Sequence, residues 1–114
     1  MENDINELKL SQKKCTPCRG GVDPMTEPQI SEYLKMLHED WAVIEEKHLE
    51  RTFNFKNFKE ALDFTNKVGQ LAEEQGHHPD IHLAWGKVKV QLWTHKIGGL
   101  HENDFILASR IDRF

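Results

Sequence analysis

The segment from Asn57 to Gly76 constrains the fold more than any other part of the chain. In Asn57-Phe-Lys-Glu60 an asparagine is followed three residues later by a glutamate, an arrangement that caps the free N–H groups of a helix start. Behind it Phe58, Ala61, Leu62, Thr65, Val68 and Ala72 keep to one stripe at helical spacing, and Gly76 is the stop. A helix with a single apolar stripe needs one surface to lie on. The flanking stretches provide it, because on both sides of this helix the apolar period changes to two.

Ahead of the helix, Trp41, Val43 and, past the charged Glu45-Glu46-Lys47 turn, Leu49, Phe53 and Phe55 alternate with polar neighbours apart from Ala42 and Ile44. This predicts two strands in a hairpin. Beyond Pro79, Ile81, Leu83 and Trp85 alternate with Asp80, His82 and Ala84, and Gly86 turns the chain into Lys87–His95, a second hairpin. Val88, Val90, Leu92 and Thr94 then share one face of the last strand, and Lys89, Gln91, Trp93 and His95 the other. Thr26 and Pro28 start a first helix that carries Ile30, Tyr33, Leu34 and Leu37. After the break at Gly98-Gly99, Glu102–Ile111 reads as a third helix. The order helix, hairpin, helix, hairpin, helix predicts an α+β domain: a four-stranded antiparallel sheet with helices packed on one face. That domain spans residues 26–114. Residues 1–25 are expected to form an irregular N-terminal extension with at most a short leading helix.

Composition narrows the function classes. The net charge of −4, with no block of Lys or Arg, lacks the electrostatic term that dominates binding to phosphate backbones, so nucleic acid is not an expected direct ligand. No apolar run approaches the ~20 residues that cross a bilayer, and the start MENDINELKL is charged where a signal peptide is apolar; a cytoplasmic location is expected. Both cysteines fall in Cys15-Thr-Pro-Cys18, which supplies only two of the four thiolate positions of a zinc site and reads as two ordinary thiols.

Four of the seven histidines, His77, His78, His82 and His95, gather around the second hairpin. Adjacent rings such as His77 and His78 rarely reach one ion, and the spacing fits no common zinc pattern, so no metal is expected. Acid/base chemistry suits them better, since free imidazole titrates near ~6.5 and can both hold and release a proton near neutrality. Taken singly, each histidine also has a plain reading: His77 and His78 end a helix, where a cation suits the macrodipole, and His95 is an exposed strand residue.

Six elements taken together weigh more. Glu73, His77-His78-Pro79, Trp85, His95 and Asp104 stand at the gaps of a recognised signature, and the sequence resembles the pterin-4a-carbinolamine dehydratases. The resemblance extends to Trp41, Phe53-Asn-Phe55-Lys56, Trp93-Thr94-His95, Gly98-Gly99-Leu100 and Asn103–Ala108, and covers roughly Thr26 to Asp112. It implies removal of water from 4a-hydroxytetrahydropterin, giving quinonoid dihydropterin for reuse by aromatic amino acid hydroxylases, with no metal and no cofactor. His77 and His95 then take the proton-transfer roles, in an order left open, and His78 holds and orients the pterin.

Glu73, one helical turn before His77, is a candidate to fix that ring's tautomer, or is simply a solvated charge beside Glu74. Pro79 stops the helix and directs His77 and His78 into the cleft beside the second hairpin. Trp85 and Trp93 are candidates to flank a flat ring, although strand aromatics more often serve core or interface. Thr94 and Asp104 are further candidates for orienting the site, Asp104 also reading as a helix-start charge. His101 stands where relatives often carry a hydroxyl cap, and Lys89 where some have other polar residues. The resemblance further implies a homodimer or homotetramer. It also keeps a binding-module alternative open, because animal relatives are dimerisation partners of a transcription factor.

Overall fold

The computed structural model describes residues 9–16 and 22–114. Helix α1 (Glu27–Leu34) leads into a hairpin of β1 (Ala42–Ile44) and β2 (His48–Asn54), followed by helix α2 (Phe58–Gln75). A second hairpin, β3 (Asp80–Ala84) and β4 (Lys87–Leu92), passes through a short 3₁₀ turn over His95–Ile97 into helix α3 (Glu102–Ile111). All four strands form one antiparallel sheet in the order β1-β2-β4-β3, so the two hairpins meet along β2 and β4, with Leu49 opposite Leu92 and Phe53 opposite Val88.

Alternation along the strands gives the sheet one dry face. Val88, Val90 and Leu92 of β4 and Leu49 of β2 are fully buried and pack with Ala61, Val68 and Leu71 of α2 and with Phe105, Leu107, Ala108 and Ile111 of α3. Their neighbours Lys87, Lys89 and Gln91 look the other way, so one face carries the helices and the other stays open, as the sequence predicts. Burying a Leu or Val side chain here contributes about 1.5–3 kcal/mol each, which makes this dry face the main source of stability.

Helix α2 has the predicted bounds. Asn57 accepts a hydrogen bond from Glu60 N at 2.9 Å, and Gly76 ends the helix at φ +65°, a left-handed conformation that a side chain would strain. Helix α1 is shorter than its apolar spacing suggests: it stops at Leu34, and Leu37 is buried from the turn that follows. There Asp112, at the C-terminal end of α3, accepts from Trp41 Nε1 and Arg51 Nη1, each at 2.7 Å, and from His38 N at 3.0 Å.

The last strand also differs from expectation. It ends at Leu92 instead of reaching His95, because Thr94 leaves the ladder to pair with Gly99 and its carbonyl accepts from Ile97 N and Gly98 N. His95 therefore stands on a tight turn closed by Gly98 at φ +64° and not on a strand face.

Residues 9–12 are helical, Leu10 is buried in the core, and residues 13–16 run alongside α3, meeting Asn103 at its start and Arg110 in its last turn. Cys15 is a free thiol, and Cys18 lies outside the described residues. No helix among the described residues is long and apolar enough to cross a membrane.

Candidate functional site

The end of α2 and the turn after β4 meet at an open cavity of about 520 Å³ lined by Gly76, His77, His78, Pro79, Asp80, Thr94, His95 and Lys96. Its size lies within the roughly 300–1,000 Å³ of small-molecule sites. Two backbone devices bring the rings there: the left-handed Gly76 turns the chain sharply off α2 just before His77, and the Thr94–Gly99 bridge folds His95 back beside it.

His77 is the anchored ring. It is buried, and its Nε2 lies 2.5 Å from Oδ1 of Asp104, a carboxyl with no solvent exposure. The other oxygen, Oδ2, accepts from Thr94 Oγ1 at 2.9 Å and from His101 N at 3.0 Å. Facing an acceptor-only carboxylate, His77 donates through Nε2, and its Nδ1 has no partner among the described residues. Asp104 is thus both a helix-start charge and an orienting group. Its sequence position shows the first role. The second appears only when α3 packs beside the end of α2, 27 residues away in sequence.

His78 and His95 are exposed. Nε2 of His78 lies 2.5 Å from Glu73 Oε2, so Glu73 holds His78 and not His77, for which Asp104 is the partner. The reason is helical geometry: Gly76 breaks the α2 spiral before His77, so the one-turn spacing from Glu73 no longer applies to that ring. His95 stacks on Trp93, with centroids 4.4 Å apart and planes at 31°, and His48 covers Trp93 at 5.7 Å.

Of the residues singled out from sequence, His77, His78, His95, Pro79 and Thr94 line the cavity, and Asp104 lies one hydrogen bond behind it. Trp85 does not join them. It is 71% exposed at the β3–β4 turn, the far end of the hairpin, about 17 Å along the strand from Asp80. His82 turns to the open face of the sheet, where its Nε2 meets Gln91 Oε1 at 3.1 Å. Asp80 and Lys96 line the cavity without having been singled out; their only signal is adjacency to Pro79 and His95. Among the described residues, no group of three or more His, Cys, Asp or Glu side chains is placed to hold a metal ion.

The start of α3, which supplies Asp104, is fixed from outside the cavity. Tyr33 donates to Glu102 Oε2 at 2.5 Å and packs edge-on against Phe105. Hydrogen bonding to Glu102 pushes the tyrosine up to about 12, and the same bond, helped by Lys13, holds the Glu102 carboxyl below the ordinary glutamate range. His101 accepts from Asn103 N through Nδ1 at 3.1 Å, so the imidazole itself does the capping that a hydroxyl does elsewhere.

Fold and cavity define a class: small single-sheet α+β proteins in which imidazoles from a helix end and from a turn share one open pocket. The particular family follows from comparison with known proteins. A family profile described as pterin 4 alpha carbinolamine dehydratase matches residues 23–114, and the chain belongs to that family. It is 57% identical over 104 residues to a protein of Alkaliphilus metalliredigens (strain QYMF), covering 91% of this chain and 94% of the relative. It is 50% identical over 105 residues to one of Rubrobacter xylanophilus (strain DSM 9941 / JCM 11954 / NBRC 16129 / PRD-1), covering 92% and 97%. Both carry the provisional name pterin-4-alpha-carbinolamine dehydratase. Among solved structures, a transcriptional coactivator/pterin dehydratase from Brucella melitensis superposes with a TM-score of 0.74 at 30% identity, over 80% of this chain and 97% of that one.

Proposed function

We propose that this protein removes water from a 4a-hydroxytetrahydropterin to give the quinonoid dihydropterin, by histidine acid/base catalysis. The observation that carries the reading is the buried Asp104–His77 pair, placed in one cavity with His78 and His95. Nδ1 of His77 is the base that takes the proton from the ring nitrogen next to C4a. His95 gives a proton to the departing 4a-hydroxyl, so the C4a–O bond breaks, water leaves, and the nitrogen's electron pair forms the new double bond to C4a. His78, held by Glu73, binds the pterin edge, and Pro79 and Thr94 shape the pocket around it. Positioned acid and base groups supply about 10²–10⁴-fold each, enough for a carbinolamine that already dehydrates slowly unaided.

The test is to mix purified protein with 4a-hydroxytetrahydropterin and follow the quinonoid product by absorbance. The expected result is a rate well above buffer that is lost in His77→Ala combined with His95→Ala. A rate equal to buffer, or one indifferent to both substitutions, overturns the proposal. The gathering of His77, His78 and His95 around one open cavity, which a docking surface does not require, favours the enzyme. The homodimer or homotetramer implied by the family resemblance is supported by the open sheet face and the free edges of β1 and β3, and light scattering tests it.

A further inference from the structure

The family profile begins at residue 23, yet residues 13–16 grip the two segments that build the cavity. Cys15 N donates to Gln75 Oε1 at 3.0 Å, two residues before His77. Thr16 N donates to Asn103 Oδ1 at 2.9 Å, and Thr16 O accepts from Asn103 Nδ2 at 2.6 Å, one residue before Asp104. The Asn103 side chain is buried, so breaking this two-pronged pairing would strand an amide away from water. Next to it, Lys13 O accepts from Arg110 Nε and Nη2 at 2.9 and 2.6 Å, and Lys13 Nζ lies 3.2 Å from Glu102.

Two consecutive backbone units of one segment are therefore pinned, one to the end of α2 and the other to the start of α3. These two ends carry the partners of the short His77–Asp104 contact. Core packing brings the two helices together, with Val68 and Leu71 of α2 and Phe105 and Ile106 of α3 in one cluster, and the segment ties the helix end directly to the helix start. We infer that residues 13–16 are a clasp that positions His77 against Asp104, with Gln75 and Asn103 as positioning residues for the site. The clasp deepens the dehydratase reading and rests on it for its catalytic consequence, but not for its geometry. A loosened clasp lets His77 drift from Asp104, and a displacement near 1 Å at such a site lowers turnover by as much as about 100-fold.

Cys15 gives the clasp its own reporter. Its thiol is half-buried, with Sγ 3.7 Å from Asn103 O, and burial pushes it up to about 11, so it reacts slowly while the segment is docked. The experiment uses the full chain with Cys18→Ser, leaving one thiol, and compares Gln75→Ala, Gln75→Glu and Asn103→Ala. Three quantities are read: iodoacetamide alkylation of Cys15, the imidazole Nε2–H proton of His77 by NMR, and kcat against KM with 4a-hydroxytetrahydropterin. In Gln75→Ala we expect alkylation about tenfold faster, a His77 proton that broadens or shifts, and a kcat about tenfold lower with KM nearly unchanged. Gln75→Glu, which keeps the accepting oxygen, restores all three. Should Asn103→Ala fail to fold, Gln75→Ala alone decides. Alkylation that does not accelerate, or a His77 proton that stays put once Cys15 is freed, overturns the clasp. If the wild type does not turn over the carbinolamine, the proposed function falls, and the NMR signal still judges the clasp.

Discussion

Replacing Asp104 with asparagine tests the site at its most buried point. The change keeps side-chain shape, so the oxygen that remains can still accept from Thr94 Oγ1 and His101 N, now 2.9 and 3.0 Å away. The new NH₂ then faces His77 Nε2. Two donors cannot share that contact, so His77 must move its proton to Nδ1, the nitrogen that the proposed mechanism needs as a base. Loss of a positioned base removes about 10²–10⁴-fold in rate. Stability should fall less, because the three hydrogen bonds stay in place and pass from a charged to a neutral partner, at up to about 1 kcal/mol each, while the burial of a charge is relieved. Asp104→Ala would instead leave three donors unmatched at about 1–3 kcal/mol each, and marginal folding would blur the result. The assay is stopped-flow absorbance of quinonoid product at fixed pH, with urea unfolding run in parallel. The double variant Asp104→Asn with His77→Ala should be no slower than His77→Ala alone, since both changes remove one function. Asp104→Asn with kcat within twofold of wild type would refute the argument, and so would losses that multiply in the double variant.

Removing the Tyr33 hydroxyl (Tyr33→Phe) should flatten the acid limb of stability. Glu102 is held below its ordinary 4.5 chiefly by that hydroxyl, so its contribution is complete above 4.5 and is lost as pH falls through the lower folded value. Tyr33 itself, pushed up to about 12, contributes fully below 10 and loses its share as pH rises towards 12. Urea midpoints from pH 3 to 6 check the acid limb; superimposable curves for the two proteins contradict it. Gly76→Ala places a methyl where nothing lies within 4 Å, so its cost is the left-handed backbone alone, about 1–2 kcal/mol, with any loss of kcat arising from a shifted His77. Thermal melts and turnover measure the two effects separately. Among the histidines, His77→Ala should lower stability by about 1–3 kcal/mol because it strips a donor from a buried carboxylate. His78→Ala and His95→Ala, at exposed positions, should stay within about 0.5 kcal/mol by urea unfolding.

The elements that can be read from sequence are those whose physics is local. Asn57 and Gly76 bound α2 through hydrogen bonds and a backbone angle that belong to the neighbouring residues, and the two-residue period of Val88, Val90 and Leu92 marks the dry face of β4. What escapes is decided by contacts distant in sequence. The end of β4 depends on Gly99 pairing with Thr94 across a turn, and strand periodicity through Trp93 and His95 gives no hint of it. The partner of His77 depends on where α3 packs, so the nearer Glu73 looks equally suitable until Gly76 rotates the chain away. Trp85 fits the family spacing, yet its place at the hairpin tip sets it apart from the cavity of this chain. Residues 13–16 carry no periodicity at all, because their backbone is held by the side chains of Gln75 and Asn103 and not by a pattern of their own.

The three rings of the cavity are consequently unequal, and the inequality follows from folding itself. Asp104 is at once the capping carboxylate of α3, the acceptor for Thr94 at the end of the sheet, and the acceptor for His77 at the end of α2. One buried group thereby joins three elements that meet at the cavity, so His77 cannot change rotamer without disturbing the first turn of α3. Among the described residues, Glu73 meets His78 and Trp93 stacks on His95, and both of these imidazoles are exposed. A site built this way keeps one imidazole rigid and leaves the other two exposed. The same core packing that makes the domain stable therefore sets which nitrogen of its most constrained histidine meets Asp104.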